Sequence, residues 1–461
     1  MDVPRFVFSI ILLCLVLSPL RGVANEQADE SESTGDVSET QRALERPWQR
    51  PWGFGWKLRP DKHQVYWDWE EGLHVATRQE KIRLLVGGRV HADAGIIDIN
   101  DELDLAFSGL EGEKANLRRA AFTGLATFYD RVDAKLEVDF ADVRDIKDNW
   151  IGVRRVPVIG YLQFGHQKEP FSLEELAGGN SFTFMERALP TEAFAPRRNL
   201  GLMTHSSTSD GRLTWAVGGF WDVGKTSSLE DLTDPKGRID QAAGFDVTGR
   251  ITGLPWFEDE GERYLHLGLS YSHRFRDDTD KDAQARFATP PESFLEDVRL
   301  VDTDAFFTDA VDLVNPEFAL VSGPYSLQWE YFHAFTDADA LGDPEFWGFY
   351  IYTSWLVTGE HRTYNTSRGT FSRLKPDRSL NLRNGEWGAI ELGLRLSHID
   401  LNDEDIKGGR ETNFTAGLNW YLGSRVRLMF NYIRAYVDDR VDPQVEDGRA
   451  HIFQTRFQFV L

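Results

Sequence analysis

The stretch Thr412-Asn-Phe-Thr-Ala-Gly-Leu-Asn-Trp-Tyr-Leu422 decides the fold class. Phe414, Ala416, Leu418, Trp420 and Leu422 fall on one face, while Asn413, Thr415, Gly417 and Asn419 fall on the other. A period of two marks a strand whose two faces meet different surroundings. The alternation recurs where Ile390, Leu392, Leu394 and Leu396 interleave with Glu391, Gly393, Arg395 and Ser397. It returns in Trp347, Phe349, Ile351 and Trp355, and again in Phe457, Phe459 and Leu461.

These segments run for about ten residues, longer than the five or six usual in water-soluble sheets. Ten tilted residues match the hydrocarbon thickness of a bilayer. A sheet in lipid must close on itself, because its backbone groups find no water there. The expectation is an all-β chain, a transmembrane antiparallel barrel whose polar face lines a water-filled lumen. Sixteen candidate strands are counted: 72–78, 81–94, 117–128, 131–140, 156–166, 200–208, 212–222, 243–253, 263–274, 315–322, 325–335, 346–358, 387–399, 411–422, 425–437 and 450–461. Sixteen is an even number, in the range that leaves an aqueous channel. Short turns at 208–212, 322–324 and 422–424 alternate with long connections at 224–242, 276–315 and 438–449, with a further long stretch at 359–386. Before Leu200 this order fails, since the short links 77–81 and 129–131 fall at the wrong end.

Composition narrows the class further. Aromatics make up 13% of 461 residues, too many for a disordered chain. Apart from the N-terminus no apolar run approaches the length of a helical span, and the mean hydropathy is −0.41. A net charge of −23 argues against a nucleic-acid partner. Arg5, the apolar run from Phe6 to Leu17 and the small-residue end Gly22-Val23-Ala24 read as a secretory signal over residues 1–24. Cys14, the single cysteine, lies inside it, so the exported chain has no disulfide and no thiolate ligand. Residues 25–46 carry seven carboxylates against Arg42 and Arg46 and read as an acidic, disordered leader. Residues 47–71 hold Trp48, Trp52, Trp56, Trp67 and Trp69, and read as a connector whose indoles pack on the barrel or at a membrane interface. The barrel domain is assigned to 72–461.

Several motifs carry a family resemblance. Gly165-His-Gln-Lys-Glu-Pro-Phe-Ser-Leu-Glu-Glu-Leu176, Phe184-Met-Glu-Arg187 and Arg198-Asn-Leu-Gly201 resemble the phosphate-selective porin O and P family. So do Gly87-Gly-Arg-Val-His-Ala-Asp93, Leu117-Arg-Arg-Ala120, Thr358-Gly-Glu-His-Arg362, Leu418-Asn-Trp-Tyr421, Met429-Phe-Asn-Tyr432 and Phe453-Gln-Thr-Arg-Phe457, in order along the barrel domain. The resemblance implies a homotrimeric, sixteen-stranded porin in the bacterial outer membrane. It would pass small anions such as phosphate, with one long loop folded into the lumen. The chain departs from the pattern twice. Asn180 stands where phosphate-binding members carry a Lys ahead of the Glu186-Arg187 pair, and the last residue is Leu461 where the assembly signal usually ends in Phe.

Extending each alternation inward gives an expected anion path of Arg83, Arg89, Arg119, Arg395, Arg425, Arg427 and Arg456. Guanidinium groups along a pore replace part of an anion's hydration shell and pass it from site to site. The competing reading is that they pair with inward carboxylates such as Asp93, Asp133, Glu137, Asp139 and Glu391, and so brace the wall. Residues 168–198 are the expected constriction, with Lys168, Arg187, Arg197 and Arg198 against Glu169, Glu174, Glu175, Glu186 and Glu192. That balance is nearly neutral. Within it, Ala177-Gly178-Gly179-Asn180 is small and flexible enough to turn tightly and contributes Asn180 to the narrowing.

Catalysis has little support. Glu174-Glu175 and Glu186 supply carboxylates for a glycosidase pair, but such residues abound here. His205-Ser206 lacks a nucleophile-elbow context, and the histidines have no metal-ligand spacing, so neither cofactor nor metal is expected. Two alternatives remain open: a general, weakly selective diffusion pore, and a secreted all-β protein that binds or cleaves sugar. The acidic leader has no strand periodicity, so a chain lacking residues 25–46 but keeping the signal should still yield a heat-modifiable, conducting barrel. Loss of the folded band on gels would show that the leader is structural.

Overall fold

The computed structural model describes residues 63–68, 72–77, 81–141, 145–221, 244–276 and 284–461. The expected signal, the leader and the connector up to Lys62 lie outside the described residues, as does the long connection at 224–242.

Sixteen antiparallel strands form one closed wall. In chain order they are β1 (Ile82–Ile99), β2 (Gly112–Phe128), β3 (Val132–Asp139), β4 (Asp145–Val156), β5 (Gly160–Lys168) and β6 (Arg198–Ser207). Next come β7 (Leu213–Trp221), β8 (Gly244–Glu258), β9 (Arg263–Arg276), β10 (Ala310–Ser322) and β11 (Tyr325–Asp337). The wall ends with β12 (Glu345–Leu356), β13 (Ala389–Asp403), β14 (Ile406–Tyr421), β15 (Val426–Val441) and β16 (Gly448–Val460). Each strand pairs with its sequence neighbour, and β16 returns to β1 with Ala450 opposite Ile99 and Val460 opposite Arg89. Closure removes the free edges that lipid could not satisfy.

The alternation has the expected sense. Leu394, Phe414 and Leu418 are exposed on the outside, while Arg395, Thr415 and Asn419 are buried on the inside. Leu84, Phe122, Ile151, Phe164, Leu202, Ile251 and Leu269 continue the outward apolar belt around the wall. Such a belt would be a liability in water; in a bilayer it is the lipid contact.

The strand count matches the expectation, but one member differs. Alternation places residues 72–78 in the wall; Gly72–Thr77 instead pairs with His63–Asp68 as a hairpin and touches β1 only through Leu73–Ala76. The strand in its place is β4, over a stretch where the sequence pattern predicts only a connection. Its outward apolar alternation covers little beyond Ile151 and Val153, with Lys147, Asp148 and Asn149 ahead of them, so the periodic signal is short. Adding β4 repairs the order of turns, because 129–131, 157–159 and 208–212 now fall at one end with both chain termini of the wall.

Among the described residues, three long connections pack into the lumen. Residues 169–197, between β5 and β6, and 284–309, before β10, enter from the loop end. Residues 357–388, between β12 and β13, enter from the turn end. Phe171, Phe184, Leu189 and Phe194 from the first pack with Phe287, Leu300 and Val301 from the second against wall residues Phe332, Phe346, Ile399 and Ile433. From the third, Phe371 packs with Leu173 and Tyr264. One side of the barrel is therefore filled by an apolar core.

Leu418→Arg would set a guanidinium in the lipid belt and should cost about 2–4 kcal/mol near the midplane, whereas Leu418→Phe should be tolerated. Urea midpoints of the heat-modifiable barrel compare the two, and equal behaviour would contradict the orientation of β14.

Candidate functional site

The loop 169–197 makes the constriction. An irregular backbone inside a barrel must find partners for its carbonyls. Here wall side chains supply them almost residue by residue. The Phe182 carbonyl accepts from Arg427 at 2.7 Å, Thr183 from Asn419 at 2.7 Å, Met185 from Arg456 at 2.5 Å and Glu186 from Arg395 at 3.0 Å. Arg362, on the connection from the turn end, donates to the Ser181 carbonyl at 3.4 Å. On β11, the Glu330 carboxylate accepts from the Leu173 and Glu174 amides at 3.0 and 2.8 Å, holding the first turn of Leu173–Leu176. Phe184 lies over two wall glycines, where a Cβ on Gly393 or Gly417 would stand 3.0 or 3.2 Å from its ring. Glycine is required there for close approach.

The inward arginines expected from the sequence, Arg83 apart, lie beside this loop, in different settings. Arg395, Arg427 and Arg456 are buried and hold its backbone. Arg456 also pairs with Asp93 at 2.6 Å and with Glu186 at 2.5 Å, while Arg395 reaches Glu292 at 2.6 Å and Glu174 at 3.5 Å. Arg89 and Arg119 keep 15% and 13% of their side chains exposed. Arg83 stands near the turn end of β1 and pairs with Asp130 at 2.6 Å. Arg425 lines a small cavity beside Asn180, Arg373, Arg427 and Gln458.

The partly exposed cations form an arc on the β1–β6 side, opposite the apolar filling. Arg89 pairs with Glu137, and Lys135 bridges Glu137 and Asp148 at 3.0 and 2.5 Å. Arg198 reaches Asp148 at 2.6 Å. Lys168 and Arg187 share Glu175 at 3.1 and 2.9 Å, and Arg187 and Arg197 share Glu192 at 3.6 and 2.5 Å. Arg118 holds Glu186 at 2.8 Å, and Arg119 has Asp139 at 3.8 Å. Asn180 sits half-buried among them, its Oδ1 3.2 Å from His91 Nε2 and 3.4 Å from Gln458 Nε2.

Burial alone would push the Glu186 carboxyl up, but Arg118 and Arg456 outweigh it and hold it well below the usual carboxylate range. Glu186 is thus the anionic keystone between the loop and two wall arginines.

Sequence reasoning missed Arg118, Lys135, Asp148 and Arg362. Arg118 escaped because the register slips between His91 and Ala92: Arg119 faces His91 while Leu117 faces Ala92. Arg118 is the extra residue of a bulge, and both consecutive arginines reach lumen carboxylates. Asp148 went with the missed β4. Lys135 shares the inward parity of Asp133, Glu137 and Asp139 on β3, and that parity is the signal that could have found it.

The family model described as phosphate-selective porin O and P matches residues 85–461. The chain is 24% identical to Porin O of Pseudomonas aeruginosa over 84% of this chain and 91% of that protein. It is 28% identical to an uncharacterised protein of Caulobacter vibrioides over 75% of this chain and 67% of that protein. Among solved structures, the outer membrane channel DcaP of Acinetobacter baumannii aligns with a TM-score of 0.49 at 11% identity, covering 83% of this chain and 99% of that one.

Glu186→Gln leaves Arg118 and Arg456 short of a buried carboxylate and should loosen the loop by about 3–5 kcal/mol, the range for breaking a buried pair. Because the Glu186 pKa is depressed in the folded state, its contribution is complete above the unfolded value of 4.5 and is lost only as pH falls below it. The wild-type channel should therefore show steady single-channel current from pH 7 to 5, while the Gln variant is noisy throughout.

Proposed function

The chain belongs to the phosphate-selective porin O and P family and is a porin of the bacterial outer membrane, and from that premise we propose that it passes small anions along the arc on β1–β6. A solute entering from the loop end meets Lys168, Arg187 and Arg198, then Arg118 and Arg119 beside Asn180, then Arg89, and leaves past Arg83. Each cation attracts the anion in turn, and donors not held by a carboxylate replace its water one site at a time.

The observation that carries this reading is the row of cations that the wall brings to the loop. Arg89, Arg118, Arg119, Lys135 and Arg456 join Lys168, Arg187, Arg197 and Arg198 as nine cations; the loop's Glu169, Glu174, Glu175, Glu186 and Glu192 and the wall's Asp93, Glu137, Asp139 and Asp148 are nine carboxylates. The loop alone has one carboxylate in excess, and the wall brings the sum to neutral, so the acidity of the chain as a whole is absent from the narrows. Charges beyond a Debye length, about 8–10 Å at physiological salt, matter little to the ion in the narrows, so the net −23 of the chain does not oppose it. In keeping with the family resemblance, the proposal includes a homotrimer embedded in outer-membrane lipid, exported by residues 1–24.

A general diffusion pore is the second reading, favoured by how many of the cations already hold a carboxylate. Reversal potential in a salt gradient separates the two: mild anion preference is expected, and a cation-selective pore would overturn the proposal. Asn180→Lys should raise phosphate block of chloride current, since an ammonium in a partly desolvated site binds phosphate better than an amide. An unchanged block would place the anion's path away from Asn180.

A further inference from the structure

Arg119 differs from the other members of the arc. Arg118, Lys135, Lys168, Arg187 and Arg198 each have a carboxylate oxygen within 3.1 Å, and Arg89 has one closer still. The nearest to Arg119 is 3.8 Å away, on Asp139, and its guanidinium makes no hydrogen bond among the described residues. It stands in the electrostatic reach of Arg118, Arg89 and Arg187, with Glu186 partly opposing them, so cations outnumber carboxylates where the donors are spare.

A Cβ on Gly179 would stand 3.9 Å from Arg119 Nε, so the loop backbone passes beside the fork without a side chain over it. Next in the chain, Asn180 has its Oδ1 directed to His91 and Gln458, which leaves its NH2 to donate. One planar fork and, from the loop residue after Gly179, one carboxamide donor are thus left with hydrogens to offer.

We infer that the solute favoured at this constriction is a small monocarboxylate, not phosphate, an inference that rests on the anion-channel proposal above. A carboxylate is planar and takes a guanidinium edge through two parallel hydrogen bonds, and it needs one spare fork. Phosphate is tetrahedral, carries up to two charges at neutral pH and needs several spare donors. Here Arg118 donates through two nitrogens to Glu186, and Arg89 and Arg187 are ion-paired with Glu137 and Glu175. A dianion would also feel twice the repulsion of Asp139 and its neighbouring carboxylates.

The test is block of chloride current through the full-length channel in planar bilayers at pH 7, with benzoate and inorganic phosphate as probes. Benzoate should half-block at a concentration about tenfold below phosphate, the scale of one bidentate pair gained. Arg119→Gln should remove the benzoate block while still giving a heat-modifiable barrel. Arg119→Lys, which keeps the charge and assembles even where the Gln variant does not, should weaken it about tenfold through loss of the fork. Asp139→Asn should shift preference toward phosphate. Phosphate blocking at or below the benzoate concentration, or a benzoate block untouched at Arg119, would overturn the inference while leaving an anion-selective pore intact. A cation-selective reversal potential with no block by either probe would instead bring down the anion-channel reading.

Discussion

Backbone carbonyls inside a membrane barrel are the constraint on which the rest depends. The constriction loop cannot form a helix or join the sheet along its whole length, so its carbonyls between Ser181 and Glu186 must be met from the wall. Arg395, Arg427, Arg456 and Asn419 meet them from four strands, β13 to β16. Arginine suits this position because one fork can satisfy a carbonyl and a carboxylate together, as Arg456 does with Met185, Asp93 and Glu186. Those arginines are committed to the loop, and the proposed route for ions therefore runs along β1–β6.

That division explains which parts of the molecule were readable from the sequence. Strand direction is local: a period of two at Phe414, Leu418 and Trp420 needs only that lipid and lumen differ, and it told inside from outside correctly for Arg395, Arg427 and Arg456. What an inward arginine does there is not local. Arg456 and Glu186 are brought together only by closure of β16 on β1 and by the entry of the loop, across 270 positions of chain. Arg118 and β4 failed for a different reason. A bulge shifts the phase by one, and a strand with apolar residues at only two outward positions offers almost no phase to read.

The lumen also shows why composition misleads about selectivity. The chain is acidic overall, and the loop taken alone has more carboxylates than cations. Folding places that loop against Arg89, Arg118, Arg119, Lys135 and Arg456 together with Asp93, Glu137, Asp139 and Asp148, and the excess of carboxylates disappears. The carboxylates of the network brace the structure. Glu186 ties the loop to two strands, and Asp148 and Glu137 hold Lys135 between β3 and β4.

Tight pairing carries a consequence for transport. A cation held by a carboxylate at 2.5–2.9 Å is rigid and well placed, but its donors are occupied, so a solute gains little by approaching it. A pore made only of such pairs would conduct with weak preference; one made only of spare guanidiniums would bind anions too firmly to release them. The arc lies between these limits, with most charges locked to keep the eyelet in shape and Arg119 held loosely by Asp139 at 3.8 Å. On the proposed reading recognition rests on Arg119, the member of the arc whose carboxylate partner stands farthest away, because an arriving ion there adds hydrogen bonds instead of exchanging them.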